Sequence, residues 1–107
     1  MGTARWDLAA YGRVRGSGAA SVIGEYKTGG IHTTTTSASN LTDGAAGAGS
    51  AVTASVGDVL HITCDELARV RIGGTAATAT AGFLLQPDVA RDIEITASGT
   101  ISIIDEA

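Results

Sequence analysis

The chain has 107 residues, a net charge of −4 and one cysteine. That length sets one domain as the expectation, and the single thiol excludes an intramolecular disulfide. The acidic balance argues against nucleic-acid binding, which needs Lys and Arg to neutralise phosphates, and no apolar run approaches a membrane span.

Charge and apolar material are both uneven. Residues 1–57 carry four basic and three acidic side chains, and residues 58–107 carry three and eight. Counting Val, Ile, Leu, Met, Phe, Trp and Tyr gives 10 in residues 1–51 and 17 in residues 52–107. The C-terminal half holds most of the core material, yet alone it would be marginal, because small cores barely offset chain entropy. It needs its N-terminal half, further copies of itself, or another protein.

Residues 1–20 contain Trp6, Tyr11, Arg13 and Arg15 among several glycines. Glycine disfavours helix interiors, so this stretch reads as an N-terminal arm, with either a short helical turn at 5–11 or an extended course. Residues 21–107 read as a single β-domain, best defined over 51–107. Residues 21–27 suit a short strand containing Tyr26, and Thr28-Gly29-Gly30 suits a turn. The Thr-rich run 31–39 fits a pleated surface, with side chains too small and polar for anything but an edge strand or a contact surface. Residues 43–50 form a low-complexity connection.

From residue 51 the pattern sharpens. Ala51–Val56 reads as a strand closed by Gly57-Asp58. Leu60, Ile62 and Cys64 alternate with Val59, His61 and Thr63, and Ala68, Val70 and Ile72 alternate with Leu67, Arg69 and Arg71. Period-two alternation marks half-buried antiparallel strands. The two-residue link Asp65-Glu66 predicts a hairpin, although this is not the favoured turn pair. Residues 75–82 are small and β-compatible, and Phe83-Leu84-Leu85 reads as a short buried run. Ile93 and Ile95 share a face, and after the turn at 97–99, Ile101 and Ile103 point back toward them. The expected fold is all-β: a small antiparallel β-sandwich or barrel of about six to eight short strands with an extended N-terminal segment.

Little here supports chemistry. His61 and Cys64 fall on opposite faces of one strand, so they cannot converge on a metal. The hydroxyls have no base beside them in any recognisable constellation. The carboxylate pairs lack the spacing of a calcium loop, and the glycine-rich segments lack the Gly-Lys-Ser/Thr of a phosphate loop. The expectation is no enzyme, no cofactor and no metal. The suggestive cluster is aromatic: Trp6, Tyr11 and Tyr26 lie beside Arg5, Arg13 and Arg15, the residue types enriched at binding hot spots. They serve either as contact anchors or as caps on the core.

The order of elements in the second half carries a resemblance. A strand ending Arg-Val-Arg-Ile-Gly-Gly (69–74) leads to the small-residue stretch TAATATAG (75–82) and a Leu-Leu-x-Pro turn (84–87). The acidic strand ARDIEIT (90–96), a Gly turn and the strand ISIIDEA (101–107) follow. This resembles the small head decoration, or cement, proteins of tailed bacteriophages, over about residues 58–107. The resemblance implies a structural virion protein on the outer surface of the capsid, made in the host cytoplasm. Its partner would be the major capsid protein, whose subunit contacts it would brace, with copies of itself as a further partner in a trimer; neither nucleic acid nor membrane is involved. On that reading Trp6, Tyr11, Arg13, Arg15 and Tyr26 form the capsid-binding set. The alternatives are another phage structural component (tail, neck or fibre) or a carbohydrate- or surface-binding β-sandwich.

Overall fold

The computed structural model describes residues 2–13, 21–43 and 49–106, with the backbone alone for 11–13 and 21–24. These residues form ten strands and no helix: β1 (Gly2–Arg13), β2 (Ser21–Thr34), β3 (Ser39–Asn40), β4 (Thr53–Ala54), β5 (Asp58–Cys64), β6 (Ala68–Arg71), β7 (Phe83–Leu85), β8 (Arg91–Glu94), β9 (Gly99–Thr100) and β10 (Ser102–Asp105). The expected all-β, antiparallel class is what the chain adopts. The strands beyond the expected six to eight are two-residue pieces, β3, β4 and β9.

One four-stranded sheet runs β2-β1-β5-β8, a second runs β3-β10-β6-β7, and β4 pairs with β9 in a short ribbon. A single apolar cluster joins the sheets. Trp6, Leu8, Leu60 and Ile62 come from the first sheet, Val70, Leu85 and Ile103 from the second, with Leu41, Ile95 and Ile101 among the connections. Each strand contributes through simple alternation. Leu60, Ile62 and Cys64 are buried on β5, while Ala68 and Val70 are buried on β6 with Arg69 and Arg71 partly exposed between them.

Residues 2–13 of the segment 1–20 are not an arm appended to this body but its strand β1. Its residues 4–10 pair with residues 58–64 of β5, and β1 lies between β5 and β2 at the centre of its sheet. The sequence supports this once Ala4 counts as a core residue: Ala4, Trp6 and Leu8 are buried and alternate with Thr3, Arg5 and Asp7. The rest of that segment, residues 14–20, lies outside the described residues. Neither is Thr28-Gly29-Gly30 a turn. All three residues continue β2, with Gly30 opposite Trp6 and Gly29 opposite Asp7. Gly30 carries no side chain opposite Trp6, and an aromatic on the neighbouring strand is a recurrent way to cover a strand glycine.

The expected hairpin between β5 and β6 is replaced by a crossing from one sheet to the other. β5 pairs with β1 and β8, whereas β6 pairs with β10 and β7. The backbone around the link is engaged elsewhere. The Asp65 N–H donates to the Thr3 carbonyl at 3.3 Å, the Asp88 N–H to the Cys64 carbonyl at 2.8 Å, and the Glu106 N–H to the Leu67 carbonyl at 2.8 Å. Asp-Glu also lacks the positive φ that two-residue hairpins need. Crossing layers turns both apolar faces toward one core, which a hairpin within one sheet would equally satisfy, so alternation alone does not separate the two. The chain crosses again after β8, and Ile93 and Ile95 meet Ile101 and Ile103 across the core.

Three smaller expectations change. Ala51–Val56 shortens to Thr53–Ala54. Residues 75–82 form no strand; the Thr78 and Ala81 backbones bond each other in a turn. Phe83 is exposed, with the Arg91 guanidinium 5.2 Å from its ring centre.

Candidate attachment surface

β1 and β2 continue past the point where β5 ends. Ala10 opposite Asp58 is the last rung shared with β5, and beyond it Tyr11, Gly12 and Arg13 pair only with Ile23, Val22 and Ser21. β5 stops there because the chain turns at Gly57, whose φ is +96°. A two-stranded ribbon therefore extends beyond the body. Fourteen residues of β2 at about 3.3 Å each match the molecule's longest dimension of 45 Å, against 25 and 23 Å in the other directions.

The ribbon bends where it leaves the body. The register shifts between Leu8 and Ala9 and again between Ala9 and Tyr11. Leu8 faces Thr28 and Ala9 faces Tyr26, so Lys27 is the extra residue of the first bulge. Bulges re-aim side chains, and this one sends the Lys27 ammonium across β1 to Asp58, 2.9 and 3.1 Å from its two carboxylate oxygens. The Asp58 side chain is nearly buried, while that of Lys27 is partly exposed. Asp58 also accepts the Ser55 N–H at 2.9 Å. One carboxylate thus ties the ribbon to the body at its point of departure. Sequence reasoning missed this pair, since Asp58 after Gly57 reads as an ordinary turn residue and Lys27 as a solvated charge. We expect Asp58→Ala to cost about 2 kcal/mol through the lost charged hydrogen bonds. A double-mutant cycle with Lys27→Met should return a coupling of about 1–2 kcal/mol, measured by denaturant unfolding, with faster amide exchange in residues 25–28.

The five residues of the aromatic and basic set separate. Trp6 is 4 % exposed and belongs to the core, so it caps the sandwich and cannot anchor a partner. Tyr26 is 64 % exposed, on β2 beside the bulge. The backbone of Tyr11 and Arg13 lies in the projecting ribbon, with their side chains outside the described residues, as is Arg15 altogether.

Two titratable groups lie between the layers. His32 is 5 % exposed and its Nε2 sits 2.8 Å from the Ser39 hydroxyl, so it bridges β2 and β3. Burial pushes its pKa below the ordinary 6.5. Burial likewise pushes the Cys64 thiol above its ordinary 9.0. Both neutral forms are favoured in the folded state, and the signs follow. As pH falls through 6.5 the unfolded imidazole protonates first, so the unfolded chain binds more protons and stability declines. As pH rises through 9.0 the unfolded thiol ionises first, the folded chain holds more protons, and stability declines again. Urea midpoints should therefore be highest between these values, and His32→Asn should flatten the drop just below pH 6.5.

On the outer face His61 pairs with Asp92 across β5 and β8, away from the buried Cys64. Among the described residues no three His, Cys, Asp or Glu side chains are grouped to hold a metal ion, and no helix is long and apolar enough to cross a membrane. Comparison with known families, curated proteins and solved structures found no match.

Proposed function

We propose that this chain is a structural attachment protein, a head decoration or cement protein that binds the outer surface of a tailed-bacteriophage capsid and braces contacts between major capsid protein subunits. The observation that carries the reading is the projecting β1–β2 ribbon with Tyr26 exposed beside its base. The resemblance of residues 58–107 to decoration proteins supplies the partner. The body holds a fixed shape through two sheets and one core, and the ribbon extends the reach of that shape. Residues 2–13 and 21–34 are strand already, so binding need not order them from a random state, and preorganisation of this kind favours affinity. Tyr26 is a large amphipathic side chain of the type that anchors interfaces.

The test uses capsids stripped of accessory proteins. The purified chain should co-sediment with them at saturable stoichiometry and raise their heat resistance, because a ligand that binds only the intact shell stabilises it. Tyr26→Ala should weaken binding about ten-fold or more while leaving the chain's own unfolding midpoint unchanged. Failure to co-sediment, or capsids whose heat resistance is indifferent to the protein, would sink the reading.

A further inference from the structure

The two outer strands of the first sheet are built differently. β8 is four residues long, three of them charged: Arg91, Asp92 and Glu94. Short length and charge are the usual protection of a sheet edge against pairing with another chain. β2, the opposite edge, has 14 residues, where a strand typically has about five or six. Its bulges are confined to the stretch facing Leu8–Tyr11. The one cation on β2 itself, Lys27, is turned away to Asp58, and Arg5, opposite Ile31 on β1, lies one strand behind the edge. From Thr28 to Thr34 the strand reads Thr-Gly-Gly-Ile-His-Thr-Thr, without proline or formal charge, its histidine buried inward. Among the described residues, no backbone bond outside β1 occupies this stretch. Ile31 stands on the outer face, 38 % exposed, between Gly29 and Thr33.

The geometry points to a second copy of this chain as the partner of that edge, joined strand to strand by antiparallel pairing of β2 about a two-fold axis. The midpoint of the uncharged run is Ile31. Pairing about it sets Ile31 opposite Ile31 of the second copy, Gly29 opposite Thr33, and Thr28 opposite Thr34. No like charges oppose one another, which would be destabilising. Gly29 presents no side chain against the branched Thr33, and the two exposed isoleucines cover each other. The strand is thus its own complement, as a self-complementary two-fold contact requires. The pairing closes after two copies, because the far edge of each sheet is the charged β8.

The experiment uses the full chain in solution without capsids, so its outcome is separate from the capsid proposal. Sedimentation velocity from micromolar to millimolar concentration should show a dimer. Ile31→Lys should weaken it at least about ten-fold with an unchanged unfolding midpoint at concentrations where the wild type is monomeric, since the side chain is outside the core. Ile31→Cys should give a disulfide-linked dimer on oxidation, because directly opposed Cβ atoms lie about 4.5–5.5 Å apart. Thr33→Cys should not, being opposite Gly29; the native Cys64 is buried and contributes little background. A wild-type chain that stays monomeric throughout overturns the proposal, including the case where β2 amides become protected only on another protein. So does an Ile31→Lys variant that dimerises as before, or Thr33→Cys cross-linking as readily as Ile31→Cys.

Discussion

Trp6→Ala is expected to remove about 3–5 kcal/mol of folding stability, the range for truncating a large buried aromatic. A domain of this kind has about 5–15 kcal/mol in total, so this one change takes roughly a fifth of it or more. The reason is position. Trp6 lies on the central strand β1, between Gly30 of β2 and Ile62 of β5, and is buried against the core. Its truncation opens a cavity next to a glycine that has no side chain to fill it. Two comparisons isolate the cause. The Trp6 Nε1 has no partner among the described residues, so Trp6→Phe removes an unsatisfied donor along with some volume and should cost much less than the alanine. Tyr26→Ala, on the exposed side of β2, should fall within about 0.5 kcal/mol of the parent. Urea titrations of the three variants rank them. Equal costs for Trp6→Ala and Tyr26→Ala would contradict the placement of β1 in the core.

Gly99→Ala is the second large effect. Gly99 opens β9 where the chain passes from the first sheet to the second, and its φ is +141°. A Cβ there would stand 2.7 Å from the Gly74 nitrogen and 2.8 Å from the Gly73 carbonyl carbon. Both obstacles are backbone and cannot rotate aside. A side chain in this region of backbone space costs about 1–3 kcal/mol, and overpacking adds about 1–3 kcal/mol more. Gly57→Ala separates the two contributions. Gly57 also has positive φ, +96°, but nothing lies within 4 Å of its added Cβ, so it should cost only about 1–2 kcal/mol. Thermal unfolding should show the larger loss at Gly99. Equal losses would mean that the close approach of β9 to the Gly73-Gly74 turn does not constrain the fold.

The faces of the strands were legible in the sequence, and their partners were not. Leu60, Ile62 and Cys64 point inward as alternation requires, and so do Val70, Ile93, Ile101 and Ile103. Alternation reports which side of a strand is dry, but a neighbour in the same sheet and one across the core make the same demand. For that reason β5 and β6 looked like a hairpin and proved to be a crossing. The N-terminal strand was hidden by composition. Its core face is Ala4, Trp6 and Leu8, and an alanine carries little hydrophobic signal until its strand partners are known. Trp6 and Tyr26 looked alike as aromatic anchors, yet one faces the core and the other solvent, a distinction set by the bulge at Lys27. That bulge, and the Lys27–Asp58 pair it creates, left no trace in local spacing, because the partners are 31 positions apart.

The central place of β1 has a consequence for the order of folding events. A ribbon of β1 and β2 joins sequence neighbours, and hairpins form in about 1–10 μs. The next strand to join that ribbon is β5, and its first rung links Ala10 to Asp58, 48 positions later. The second sheet waits longer, since β10 lies at its centre and pairs with β3 and β6, which both precede it. Every stable layer therefore depends on distant contacts, which places folding of the whole in the slower, millisecond-to-second regime of all-β proteins. On a ribosome the nascent ribbon would emerge with both edges bare and wait for β5, and during that interval its uncharged stretch is most vulnerable to pairing with the wrong chain.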